Sequence, residues 1–214
     1  YKEALTTSIE HRETYKKQSG GRGKFADIQF EIGPVEQTED AKDGLTFENA
    51  IFGGAIPKEF IPSVEKGFKD AMNNGPLAGF GIDSMRVRLF DGSFHAVDSD
   101  QLSFELAAKM GFREAAKKAK PVLLEPIMKL EVLTPDEYTG DIVGDLNRRR
   151  GLMQGMDAKG SGQVIKAKVP LSEMFGYVTD LRTISSGRAT SSMEFDSFQP
   201  APDGVAKKVI EERS

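Results

Sequence analysis

The chain has no cysteine, and only two histidines, His11 and His95, among its 214 residues. Without thiols it forms neither a disulfide nor a thiolate metal site, which fits a reducing, cytoplasmic setting. Two imidazoles cannot supply a histidine-rich metal cluster. No apolar run is long enough to span a bilayer, and no secretory leader is expected. Nor is there a large charge excess: 29 Lys+Arg face 33 Asp+Glu, a net charge of −4, which argues against nonspecific coating of nucleic acid. Internal repeats and low-complexity segments are also missing. The chain opens on Tyr1 rather than Met, which points to a piece of a longer polypeptide.

What is there suffices for packed cores. With 38% hydrophobic residues and 14 Phe, the length suits one large domain or two small ones. YKKQSGGRGKF (15–25) gathers Lys16, Lys17, Arg22 and Lys24 around three glycines. The overall acidity does not exclude a local cationic tip there, because screening confines each charge's influence to about 8–10 Å. KFADIQFEIG (24–33) alternates, with Ala26, Ile28, Phe30 and Ile32 on one face. Two strands joined through SGGRG make a hairpin, its glycines supplying positive φ. From Ile9 to Gln18 the outgoing strand reaches roughly 30 Å at about 3.3 Å per residue, so the knot ends a projecting arm. The acidic run VEQTEDAKD (35–43) reads as a solvated loop.

Further on, TFENAIFG (46–53) reads as a strand, and Pro62 opens a helix striped by Val64, Phe68 and Met72 that stops at Gly75-Pro76. A strand over 83–95 runs into a DG turn. Asp98 with Gln101 resembles a capping box for a helix over 99–118, with Leu102, Leu106 and Met110 on one side and Phe104, Ala108 and Phe112 on the other. That predicts a helix covered on two sides. A boundary follows at 117–126. IMKLEVL is a strand, Thr134 to Glu137 start a helix, and Arg148, Arg149, Arg150 and Gly151 stop it. Two strands surround a Gly/Ser turn, then Leu171, Met174, Phe175, Val178 and Leu181 recur at helical spacing before a last strand. The order over 127–198 is β-α-β-β-α-β, the ferredoxin-like arrangement. The tail forms one short helix through Val205 and Val209.

Catalytic motifs are absent. GGRGKF lacks the spacing of a nucleotide P-loop and leads into a strand, so neither that motif nor the dinucleotide fingerprint fits. No G-x-S-x-G is present, and Ser93 and His95 straddle a turn in a poor geometry for nucleophile and base. On the residues alone His95 is a solvated loop residue. Arg148 to Arg150 have two readings, complementing a helix dipole or meeting phosphate oxygens, and both stay open.

YKKQSGGRGKFADI, GGAIPKEFIPSVEKG, DGSFHAVDSDQLSFELAAKMGF, KPVLLEPIMKLEV, GDIVGDLNRRRG and PLSEMFGYVTDLRTISSGRATSSMEF together resemble bacterial elongation factor G, in order and with family spacing. The resemblance covers the fourth and fifth domains of that factor. It implies an α+β chain of two domains. Residues 1–120 are a blade like the second domain of ribosomal protein S5, with a C-terminal helix (202–213) packing back on it. Residues 121–198 are a ferredoxin-like domain. The implied partners are the ribosome, at its small-subunit decoding site and at the large-subunit RNA and stalk base, and the tRNA–mRNA pair, with no membrane and a monomeric state.

The implied tip residues are Lys16, Lys17, Gln18, Ser19, Gly20, Gly21, Arg22, Gly23, Lys24, Ser93 and His95, with Arg148, Arg149 and Arg150 as further RNA contacts. His95 falls where eukaryotic and archaeal counterparts carry diphthamide. GTP and Mg belong to a domain of the family outside this stretch, so no cofactor and no catalysis are expected here. The sequence departs from the family at Ala96, Ser191 and the acidic run. Related readings are a paralogous factor for ribosome recycling or tetracycline protection and, from another class, a self-standing RNA-binding or structural module.

Overall fold

A computed structural model describes residues 1–18, 21–36 and 44–214. Ser19, Gly20 and most of the acidic run (37–43) lie outside the described residues. Two compact units emerge, one of Lys2–Leu123 with Ala201–Ser214, the other of Tyr1 with Leu124–Pro200.

The first unit contains β1 (Lys2–Ala4), β2 (Ile9–Lys17), β3 (Lys24–Gly33), β4 (Gly44–Asn49), α1 (Ile61–Ala71), β5 (Ser84–Ser93) and α2 (Gln101–Lys118). A four-stranded sheet runs β2-β3-β5-β4, antiparallel except for the parallel β4–β5 pair that brackets α1 as a βαβ unit. Alternation sorts its faces. Ala26, Ile28, Phe30 and Ile32 of β3 and Met85, Val87 and Leu89 of β5 are buried with Val64 and Phe68 of α1 and Phe104 and Phe112 of α2. The opposite face is polar: Arg86 joins Glu31 and Glu48, and Arg12 joins Asp27.

Three sequence expectations need correction in this unit. The DG pair at 91–92 is not a turn. A bulge opposite Gln29 and Phe30 leaves Phe90 unpaired, and β5 continues so that Ser93 faces Asp27. The helix cap is Asp100, whose carboxylate accepts the Ser103 amide at 2.7 Å, rather than Asp98. Finally, α2 is buried on one face only: Leu102 and Met110 are exposed. Spacing alone cannot tell a second covered face from an open one.

The loop at 75–81 is organised by a buried carboxylate. Glu3 accepts the amides of Leu77, Ala78 and Phe80 at 2.7, 3.1 and 2.8 Å, so its buried carboxylate is satisfied. In the same unit, Arg213 of the terminal helix (Asp203–Arg213) donates to the carbonyl of Ala78 and lies 4.4 Å from the centre of the Phe80 ring. Val205 and Val209 on that helix are half-buried.

The second unit holds β6 (Val122–Pro135, which begins just before it), α3 (Thr139–Arg148), β7 (Leu152–Lys159), β8 (Gly162–Pro170), α4 (Tyr177–Ser185) and β9 (Thr190–Pro200). Its strands lie in the order β7-β8-β6-β9, all antiparallel, so the β-α-β-β-α-β order closes as a ferredoxin-like sheet. Leu130, Val132, Ile165, Ala167 and Val169 of the sheet pack on Ile142 and Leu146 of α3 and Tyr177 and Leu181 of α4.

Two helix starts differ from expectation. Thr134 and Pro135 still belong to β6, and a 3-10 turn over Asp136–Tyr138 precedes α3. Gly176, at φ 73, breaks the segment before α4, so Phe175 and Val178 are exposed while Met174, Tyr177 and Leu181 enter the core. No helix among the described residues is long and apolar enough to cross a membrane.

Candidate functional site

The hairpin of β2 and β3 keeps its register to the end, pairing Lys16 with Phe25 and Lys17 with Lys24. Lys16, Lys17, Gln18, Gly21 and Arg22 are exposed. Among the described residues, Lys16, Lys17 and Arg22 have no carboxylate partner. Gly21 adopts φ 142, a conformation that glycine tolerates and a side chain resists.

The segment after β5 returns beside this hairpin end. Arg22 Nε donates to the carbonyl of Val97 at 2.8 Å, and the Gly23 amide donates to Asp98 Oδ1 at 3.2 Å. A Cβ on Gly23 would stand only 3.1 Å from the Lys17 carbonyl. The Phe25 amide donates to the carbonyl of Asp98 at 3.0 Å. Ser99, buried, accepts the His95 amide at 2.9 Å and donates to the carbonyl of Phe25 at 2.8 Å. The imidazole of His95 stacks on Phe25 with ring centres 3.8 Å apart and planes 2° from parallel. Two loops far apart in the chain thus form one tip.

Two proposed tip residues are engaged below its surface. Lys24 pairs with Asp100 at 2.5 Å. Burial opposes the charge on Asp100, but the Lys24 ammonium and the Ser103 amide outweigh it and bring its carboxyl down to about 2. The Ser93 hydroxyl donates to Asp27 Oδ2 at 2.8 Å, where Arg12 and Thr14 also converge. Burial works against that carboxylate as well, and these donors still hold it below the ordinary range. His11 is remote from the tip residues in register, bonded to Glu13 and edge-on to Phe30.

The arginine cluster is divided. Arg149, largely buried, donates to Asp145 Oδ2 at 3.0 Å and to the carbonyl of Glu173 at 2.6 Å, and also bonds Asp180. Arg150 grips Glu125 through two 2.9 Å bonds and reaches Glu173. Its backbone, at φ 58, is the left-handed residue of a Schellman cap: Gly151 N–H bonds Leu146 O and Arg150 N–H bonds Asn147 O. Arg148 alone of the three is mostly solvent-exposed, with a 3.3 Å contact to Asp145.

Phe25, Val97, Asp98, Ser99 and Asp100 were not among the expected site residues. Their role comes from pairing across the two loops, and only Asp98 drew attention, as a cap.

Comparison with known proteins matches residues 1–120 to the family "Elongation factor G, domain IV" and residues 122–209 to "Elongation factor G C-terminus". The chain belongs to the elongation factor G family. The elongation factor G of Amoebophilus asiaticus is 64% identical over 211 residues, 99% of this chain and 29% of that protein. That of Cytophaga hutchinsonii is 65% identical over 98% of this chain and 30% of its own length. That of Salinibacter ruber is 56% identical over the whole chain, again 30% of the relative. A crystal structure of a Thermus thermophilus protein superposes with a TM-score of 0.87 at 36% identity, covering 99% of this chain and 31% of that one. The chain therefore spans about 30% of the length of the elongation factor G relatives it matches.

Proposed function

We propose that this chain is the RNA-engaging part of a ribosomal translocation factor. Its tip enters the small-subunit decoding site as the tRNA–mRNA pair advances, and its second unit contacts large-subunit RNA and the stalk base. GTP and Mg are held elsewhere in the full-length protein, which works in the cytoplasm as a monomer. The observation that supports this best is the tip itself, with Lys16, Lys17 and Arg22 exposed at the end of a hairpin clamped to a second loop. Cations without carboxylate partners attract phosphates, and a glycine-rich backbone permits close approach. The name elongation factor G on the relatives favours translocation over recycling or tetracycline protection.

The test is single-round translocation beside ribosome-dependent GTPase turnover in the full-length factor. Lys16→Ala, Lys17→Ala and Arg22→Ala combined should slow translocation much more than multiturnover GTP hydrolysis. Equal losses in both would assign the tip to docking in general and remove the decoding-site role.

A further inference from the structure

The parallel stack of His95 on Phe25 has a feature that core packing does not require. Among the described residues neither imidazole nitrogen has a hydrogen-bond partner, although the ring is held face-on at 3.8 Å. A lone histidine on an exposed loop would sample several rotamers, and ordering such a side chain on binding weakens the interaction. Here the ordering is built in. Phe25 is the second residue of β3, in register with Lys16, so the platform belongs to the sheet rather than to a loop. Its amide is fixed by the Asp98 carbonyl, and the Ser99 hydroxyl connects its carbonyl to the backbone amide of His95. One hydroxyl thus sets the spacing between the platform and the residue stacked on it.

We propose that Phe25 and Ser99 are positioning residues for His95, presenting its imidazole edge-outward with both nitrogens available to RNA. This rests on the decoding-site reading above. A hydrogen-bonding partner for the ring would orient it equally well but would consume a nitrogen. An aromatic face orients it and consumes none.

The test pairs spectroscopy with kinetics. In the histidine-labelled chain, the His95 ring protons should resonate upfield under the Phe25 ring current. Phe25→Leu should return them to the position of an unstacked imidazole, and Phe25→Tyr should keep them upfield. In the full-length factor, F25L should slow single-round translocation by the same factor as H95A, and F25Y should restore the rate. The F25L/H95A double variant should be no slower than H95A alone. Ser99→Ala, which leaves the aromatic platform in place, should weaken the ring shift and slow translocation less than F25L. It remains decisive if F25L unfolds.

A ring shift that survives both F25L and S99A overturns the proposal, as does a double variant slower than H95A by the full F25L factor. An H95A rate equal to wild type overturns the functional role of the imidazole and the decoding-site reading of His95 together. That failure is recognisable because the ring shift still responds to F25L.

Discussion

Arg22 donates its Nε–H to the carbonyl oxygen of Val97 at 2.8 Å, so one exposed cation also joins the first tip loop to the second. The two roles can be separated. Arg22→Lys keeps the charge but loses the planar donor that makes the join. It should slow translocation while leaving the salt dependence of ribosome binding unchanged. Arg22→Ala should do both, lowering the log-log salt slope by about 0.7–0.9 if one phosphate contact is lost. Translocation at the wild-type rate in R22K would show that the bond to Val97 plays no part.

Asp100 lies under the tip as both the partner of Lys24 and the N-cap of α2. Its carboxyl is lowered from 3.8 to about 2 in the folded chain. A depressed carboxylate contributes stability that is present above its unfolded pKa and lost as pH falls through the folded one. Asp100→Asn preserves the cap, since Asn caps as well as Asp, and removes only the charge. Wild type should exceed D100N by on the order of 1 kcal/mol at pH 7, the partly exposed Lys24 limiting the gain. Urea titrations should show that gap closing from about pH 4 towards pH 2. A gap that stays constant over that range would mean that the ion pair is not its source.

The core of both units follows from patterns visible in the residues. Ala26, Ile28, Phe30 and Ile32 alternate, and all are buried; Val64 and Phe68 recur at helical spacing, and both are buried. Alternation and helical spacing are local, and the pairings they imply here agree with the tertiary structure. The failures lie where an equally good local pattern has no partner. Leu102 and Met110 are spaced like core residues yet exposed, and Phe175 is turned outward by the left-handed Gly176. At the tip, the charged and glycine-rich segment was visible, but Phe25 and Ser99 were not. They join β3 to a loop distant in sequence, and no single stretch carries that information.

Tyr177 carries a hydroxyl with no hydrogen-bond partner among the described residues, although its ring is in the core and stacks with Arg149, 5.0 Å away. Burial, with the nearby Asp145 carboxylate, pushes its pKa up to about 12, and Arg149 offsets this in part. Removing an unsatisfied buried hydroxyl recovers its desolvation cost, so Tyr177→Phe should be neutral or stabilising by about 1 kcal/mol. Spectrophotometric titration should also lose the tyrosine step near pH 12. Destabilisation beyond about 1 kcal/mol would reveal a partner for this hydroxyl.

Arg148, Arg149 and Arg150 are adjacent, but the structure predicts opposite phenotypes for them. Arg150 neutralises Glu125, whose side chain is only 4% exposed, through a bidentate pair that also raises the guanidinium above its ordinary pKa. Deleting it strands a buried carboxylate, so Arg150→Ala should cost about 2–4 kcal/mol, somewhat less than for a fully buried pair. Arg150→Gly loses the same pair but relaxes the backbone at φ 58. It should therefore be more stable than R150A by about 1 kcal/mol, provided the relief exceeds the extra chain entropy of glycine. Arg148 projects into solvent, and Arg148→Ala should change stability by no more than about 0.5 kcal/mol. If this turn meets large-subunit RNA, R148A should reduce the salt slope of ribosome binding, as one lost phosphate contact would. Thermal unfolding beside salt-dependent ribosome binding separates the cases. A destabilised R148A with a stable R150A would reverse the assignment and make the exposed arginine the structural one.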